Sequence, residues 1–172
     1  MTIYFLSDLH LCDERPQSSV LFVDFLNGPA RRAQAVYILG DLLEYWVGDD
    51  TLKRNPPSFV GALQRLTQHG VPTFLMHGNR DFLLGAQFAA ATGCVLIDDP
   101  TLISLFGTPT LLMHGDTLCT DGAAKKFITD GQESINTLAR CLLHENYFGC
   151  GMKDSGNACQ FRHHQRGVWV GR

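Results

Sequence analysis

Val36–Asp50, VYILGDLLEYWVGDD, holds the pattern from which the fold follows. It opens with a continuous apolar run, Val36-Tyr37-Ile38-Leu39, the pattern of a strand buried on both faces. The run stops at Gly40-Asp41, which puts a carboxylate at the carboxyl end of a parallel strand, the rim where open α/β sheets carry their ligands. Three other apolar runs end the same way. Ile3–Leu6 leads into Ser7-Asp8-Leu9-His10, Thr73–Met76 into His77-Gly78-Asn79-Arg80-Asp81, and Thr110–Met113 into His114-Gly115-Asp116. Four core strands thus deliver Asp8, His10, Asp41, Asn79 and His114 toward one edge of a sheet.

Helical patterns fill the gaps between these runs. Ser18 or Ser19 predicts a capped helix over Val20–Asn27 with Leu21, Phe22, Phe25 and Leu26 as its apolar stripe, ended by Gly28-Pro29. Pro56-Pro57 opens a second, with Phe59, Leu63 and Leu66 at helical spacing and Gly70 and Pro72 closing it. Asp81 predicts the cap of a third, Phe82–Thr92, terminated by Gly93. Cys94–Ile97 reads as a short strand before the turn Asp98-Asp99-Pro100. Thr101–Phe106 and Thr110–Met113 flank Gly107-Thr108-Pro109 as a hairpin. The order β-α-β-α-β-α-β followed by a meander predicts a mostly parallel sheet with an antiparallel extension. After Ala123 a helical pattern is visible around Ile135–Leu143, but Gly149, Gly151, Gly156 and Gly167 leave no periodicity a core can use.

Composition narrows the class. A chain of 172 residues, 45 % hydrophobic and 18 % charged, belongs with globular domains and not with disordered chains. No apolar run approaches the roughly 20 residues of a membrane span, and the N-terminal run lacks the basic flank of a signal peptide. Six cysteines without a CxxC pair suggest reduced thiols in a cytosolic compartment. Up to Gly122 there are 7 Lys+Arg against 13 Asp+Glu; from Ala123 onward there are 7 against 4. An acidic body suits a cation site and argues against nucleic-acid binding, which wants a basic stripe. The modestly basic tail suits either an anionic membrane surface or plain solvent, and no obligate protein partner is evident.

The five rim residues offer oxygen and nitrogen donors suited to Mn²⁺, Fe²⁺ or Zn²⁺, with the asparagine arguing against a purely zinc site. Asp8 and His10 are spaced i, i+2, so in an extended segment both point the same way. Five donors are too many for one catalytic ion with an open position. Two ions about 3.5–4 Å apart sharing a carboxylate fit better, and Asp41, alone at the end of the central strand, is the expected bridge. Taken singly, an Asp or Asn after a strand is more often a turn residue; the inference rests on the set. His69 and His77 read as structural, and the adjacent His163-His164 as a poor pair for one metal. Cys141, Cys150, Cys159 and His144 form only a weak zinc pattern.

Asp8-Leu9-His10, Gly40-Asp41, Gly78-Asn79-Arg80-Asp81 and His114-Gly115-Asp116 resemble the successive blocks of the calcineurin-like metallophosphoesterases. The longer strings SDLHLC, YILGDLLEYWVGDD, HGNRDFLLG and LLMHGDTLCTD resemble the members that hydrolyse UDP-2,3-diacylglucosamine in lipid A biosynthesis. The resemblance covers Met1–Asp121. It implies a four-layer α/β/β/α sandwich and a di-manganese centre, with Asp8, His10 and Asp41 on one Mn²⁺ and Asp41, Asn79 and His114 on the other. It also implies that Asn79 and Arg80 meet the substrate phosphates. The products would be UMP and 2,3-diacylglucosamine 1-phosphate (lipid X), formed by a protein lying peripherally on the cytoplasmic face of the inner membrane. Many relatives carry His where this chain has Arg80, a residue that cannot give up a proton. A pyrophosphate expels a phosphate ester, whose second pKa of about 6 makes it a leaving group that needs no acid. An arginine stabilising phosphate charge then suffices.

Beyond Asp121 the pattern departs. Gly122 stands where the family has a further Asp, and no His-x-His follows His114, although the family uses one to give each metal another histidine. The expectation is therefore a division into 1–122, the N-terminal part of a metallophosphoesterase domain, and 123–172, an atypical tail of the kind a truncated or frame-shifted reading leaves. The alternatives are a metallophosphoesterase acting on another nucleotide diphosphate or phosphodiester, and an inactive remnant of the enzyme.

Overall fold

The computed structural model describes residues 2–54, 56–115, 147–149 and 169–171. They fall in two compact units, residues 1–97 with 165–172, and residues 98–164. The first unit is built on β1 (Ile3–Leu6), β2 (Ala35–Leu39), β3 (Thr73–Met76) and β4 (Val95–Ile97), with β8 (Trp169–Gly171) added at the edge. The strand order is β4-β3-β2-β1-β8, parallel throughout except for β8. The second unit holds a separate sheet in which β6 (Thr108–Met113) lies between β5 (Thr101–Leu105) and β7 (Tyr147–Gly149). The hairpin does not extend the parallel sheet, as the sequence order suggested, but starts another. β7 and β8 come from the segment whose glycines hid any strand pattern; each is only three residues long.

β2 is buried at all positions but Tyr37, as its unbroken apolar run requires in the middle of a parallel sheet. One face of the sheet supplies Leu6, Val36, Ile38 and Leu75 to a core shared with the helices α1 (Pro16–Asn27), α3 (Ser58–Gln68) and α4 (Ala86–Thr92); α2 (Thr51–Arg54) is a single turn in the loop after β2. On the other face Phe5, Tyr37 and Phe74 are in register and stack, with centroids 5.2 and 4.7 Å apart. Burial raises the Tyr37 phenol above its ordinary range.

Two helices begin elsewhere than predicted, for identifiable reasons. α1 starts at Pro16 and not after Ser18 or Ser19, because proline pre-sets the backbone angle of a first helical turn. Its buried stripe is Phe22 and Leu26, whereas Leu21 is exposed. α4 starts at Ala86, four residues later than the predicted Phe82, because the Asp81 carboxylate is buried and serves other backbone groups. The N–H groups that open α4 are met instead by Asp49, which accepts from Gly85, Gln87 and Phe88 at 2.9–3.1 Å. Asp49 also accepts from Trp46 Nε1 at 3.1 Å, and the Trp46 ring packs edge-on against Phe88. The hairpin turn is Phe106-Gly107, both at positive φ, the geometry of a two-residue primed turn. Thr108 and Pro109 therefore belong to β6. In the second sheet only residues 111–113 of β6 pair with β7, so Pro109 lies where no β7 partner asks for its missing N–H.

Burial alone would raise the Asp49 carboxyl, but hydrogen bonds from Phe88, Gly85, Trp46 and Gln87 outweigh it and hold the group below the usual carboxylate value. A carboxyl lowered in the folded state stabilises fully above its unfolded pKa of about 4 and loses that contribution as pH falls through the folded value. Asp49→Ala is expected to cost about 1–2 kcal/mol in urea unfolding at pH 7. The gap from wild type should narrow below about pH 4.

Candidate metal centre

β1, β2 and β3 are adjacent and parallel, so the loops after them emerge along one rim of the first unit. Backbone pairing continues past the strand ends. Asp8 N–H donates to the Gly40 carbonyl at 3.2 Å, His10 N–H to Asp41 at 3.0 Å and Leu11 N–H to Leu42 at 2.9 Å. Glu44 N–H returns a bond to the Leu11 carbonyl at 3.1 Å. The two ligand-bearing loops are thus held as tightly as the strands.

Asp8, His10 and Asp41 sit in the left-handed region, at φ 53, 46 and 51°. Each such residue costs of order 1 kcal/mol. The segment after β1 is therefore kinked at two residues, and its side chains do not converge by the simple alternation of an extended strand. They converge because the pairing to Gly40–Leu42 forces the kinks. One donor atom from each of Asp8, His10 and Asp41 lies within 4.8 Å of the others. His10 Nε2 is 3.8 Å from Asp8 Oδ1 and 3.6 Å from Asp41 Oδ2. The Asp41 side chain is nearly buried, while Asp8 and His10 keep partial access to solvent.

The loop after β3 closes on Asp41 from the other side. Arg80 N–H donates to Asp41 Oδ1 at 3.1 Å. The Asn79 amide also faces this carboxylate. With its nitrogen turned inward it donates to Oδ2 and Oδ1 at 3.1 and 3.2 Å. With its oxygen inward, oxygen faces oxygen, an arrangement that holds when a cation is shared between them. Gly78 makes the approach possible: a Cβ there would strike the Asp41 carboxylate and backbone nitrogen. Asp81 returns the contact, accepting from Leu42 N–H at 2.8 Å, Leu43 N–H at 3.3 Å and Gly78 N–H at 2.8 Å.

His114 follows β6 in the second unit, where it is buried and its N–H donates to Asp99 Oδ1 at 3.3 Å. Four of the five predicted donors therefore share the rim of the first unit. His77 behaves as a structural histidine: its Nε2 lies 2.6 Å from the Leu84 carbonyl, which can only accept, so Nε2 carries the proton. The boundary at Gly122, the weak cysteine pattern, His144 and His163-His164 lie outside the described residues.

Sequence reasoning missed Glu44 and Arg15. Glu44 Oε2 is 2.7 Å from Arg15 Nη2 and 3.5 Å from His10 Nδ1, and Oε1 is 3.2 Å from Arg80 Nη1. His10 Nδ1 is buried and finds no aligned hydrogen bond; the Glu44 oxygen is at the outer limit of reach. A carboxylate three residues after Asp41 on the same loop was the available signal. Arg15, just before α1, carried none. The donor set suits a divalent cation: carboxylates, an amide oxygen and an imidazole with Nε2 directed inward and Nδ1 toward a carboxylate.

A profile of the calcineurin-like phosphoesterases matches residues 1–153. The chain belongs to that family. The fold is that of the calcineurin-like metallophosphoesterases, and the family implies a divalent metal, which the rim residues are equipped to hold. Among curated relatives, a UDP-2,3-diacylglucosamine hydrolase of Pseudomonas putida is 53 % identical over 118 residues, 69 % of this chain and 49 % of the relative. A UDP-2,3-diacylglucosamine hydrolase of Pseudomonas aeruginosa is 50 % identical over 120 residues, 70 % of this chain and 50 % of the relative. The chain spans about half the length of the curated relatives it matches. Among solved structures, a protein of unknown function from Aquifex aeolicus shares the fold, with a TM-score of 0.50 at 16 % identity, over 81 % of this chain and 72 % of that one.

Gly78→Ala is expected to push Asp41 out of place. Mn²⁺ affinity measured by calorimetry should fall at least about tenfold, with an overpacking cost of about 1–3 kcal/mol in unfolding. Unchanged affinity would show that the close approach of the two loops is dispensable.

Proposed function

We propose that this chain carries the metal-binding half of a hydrolase that cleaves the pyrophosphate bond of UDP-2,3-diacylglucosamine, yielding UMP and 2,3-diacylglucosamine 1-phosphate in lipid A biosynthesis. The observation that carries the reading is the placement of Arg80: its backbone N–H is tied to Asp41, and its guanidinium stands beside the same rim. A cation there has an arginine next to it and no histidine at position 80, the equipment for a substrate whose leaving group needs no proton. The curated relatives support the substrate by their names and by identities of 53 % over 118 residues and 50 % over 120.

Asp8, His10 and Asp41 would hold one Mn²⁺, and Asp41 and Asn79 would contribute to a second, with Asp41 common to both. When bound, such a pair polarises phosphoryl oxygens and lowers the pKa of water. Arg80 orients the phosphates and offsets their charge; it holds its proton throughout. Asn79 aligns the phosphate nearest Asp41. Exposed Tyr45, Val47, Phe82 and Leu83 lie on the same two loops as Asp41 and Arg80 and offer apolar surface to an acylated substrate. They are the surface that a peripheral position at the cytoplasmic face of the inner membrane, part of the same proposal, would use. No helix among the described residues is long and apolar enough to cross a membrane.

Asp41→Ala should abolish binding of both ions, whereas Asn79→Ala should weaken chiefly one; EPR of Mn²⁺ titrations reads the stoichiometry. Two ions retained by Asp41→Ala would exclude it as the bridge. The substrate is tested by UMP release with saturating Mn²⁺, beside UDP-N-acetylglucosamine and a simple aryl phosphodiester. Cleavage of the diester without UMP release from the lipid would overturn the assignment. Arg80→Ala should lower turnover about 10²-fold or more without removing a limb from the pH–rate profile, and Arg80→His should not restore it.

A further inference from the structure

We propose that Glu44 is a positioning residue, one carboxylate that sets both the ring of His10 and the guanidinium of Arg80. Its part at Arg80 rests on the reading of Arg80 as a phosphate-binding residue; its part at His10 does not. The two oxygens of Glu44 are divided. Oε2 meets Arg15 Nη2 at 2.7 Å and faces His10 Nδ1 at 3.5 Å, while Oε1 meets Arg80 Nη1 at 3.2 Å.

Arg15 is the anchor of this arrangement. Its Nη2 also donates to the His10 carbonyl at 3.1 Å, and its Nε reaches Cys12 Sγ at 3.4 Å. That fixes the Glu44 carboxylate against the His10 loop and leaves Oε1 for Arg80. Arg80 is otherwise a long side chain, 53 % exposed, that water leaves free to rotate. At 29–53 % exposure these ion pairs add little to stability, so holding the fold is not what they are for. Their effect is on orientation. A histidine that binds a metal through Nε2 has its ring angle and tautomer set by whatever accepts from Nδ1, and here the facing acceptor is Glu44. Sharing one carboxylate between two arginines also leaves net positive charge on the group. Arg80 can therefore be held in place and still attract an anion.

The test uses Mn²⁺ and inorganic phosphate as probes, so it needs no lipid substrate. Mn²⁺ affinity is measured by calorimetry for wild type, Glu44→Gln and Glu44→Ala. Phosphate affinity is then measured, with Mn²⁺ saturating for each protein, for wild type, Arg80→Ala, Glu44→Gln and the double variant. Glu44→Gln keeps the side-chain size, and a thermal midpoint near wild type shows that it folds. Asp50→Asn, which removes an exposed carboxylate paired with Lys53, is the charge control. Expected are an approximately tenfold loss of Mn²⁺ affinity in Glu44→Gln, a larger one in Glu44→Ala, and no change in Asp50→Asn. Arg80→Ala should leave Mn²⁺ affinity intact and weaken phosphate about tenfold in the wild-type background, but about threefold or less beside Glu44→Gln. Wild-type Mn²⁺ affinity in Glu44→Gln, or an Arg80→Ala effect of equal size in both backgrounds, overturns the proposal. Failure to release UMP from the lipid would leave both measurements standing.

Discussion

The arrangement depends on a reciprocal clasp between two loops. The buried Asp81 carboxylate reaches back from the loop after β3 to three backbone N–H groups, two on Leu42 and Leu43 and one on its own Gly78. Asp41 reaches the other way and accepts the Arg80 N–H. A charged acceptor in a buried place with three donors satisfies groups that would otherwise be costly to desolvate. Loops that would drift at a sheet edge are thereby fixed in register, and the donors they carry come with them.

That constraint explains why three rim residues tolerate left-handed backbone. The strain at Asp8, His10 and Asp41 persists because the pairing on either side over-determines it. The consequence is a preorganised cluster of oxygen and nitrogen atoms that does not have to be assembled by an incoming ion. Preorganisation of this kind turns binding energy into affinity, and it explains the need for Gly78, where any side chain would break the approach. Around the cluster the Arg15–Glu44–Arg80 chain adds a half-exposed, charged layer whose energy is small and whose directional effect is large.

Much of this was legible from residue order. The four apolar runs became strands with nearly the predicted bounds, because a run of that kind has nowhere to go but the middle of a sheet. Asp8, His10, Asp41 and Asn79 were legible because each follows such a run. Asp81 was legible as a residue that meets backbone N–H groups, but which ones was not: a short carboxylate before an apolar stretch looks like a helix cap, and this one turned inward. Asp49, which does serve α4, is separated from it by 36 to 39 residues, beyond any local signal.

Residue order alone fixes the β-α alternation, the parallel sheet and which residues stand at its rim, since these follow from hydrophobic runs and the residues that end them. How Asp8, His10 and Asp41 converge depends on contacts between loops, because the kinks at Asp8 and His10 accompany hydrogen bonds to another loop and do not follow from their own propensities. Contacts of the same kind bring Glu44 to Arg15 across 29 positions and to Arg80 across 36. Ion pairs between loops leave no periodicity in a chain; they exist only once the strands that carry those loops lie side by side.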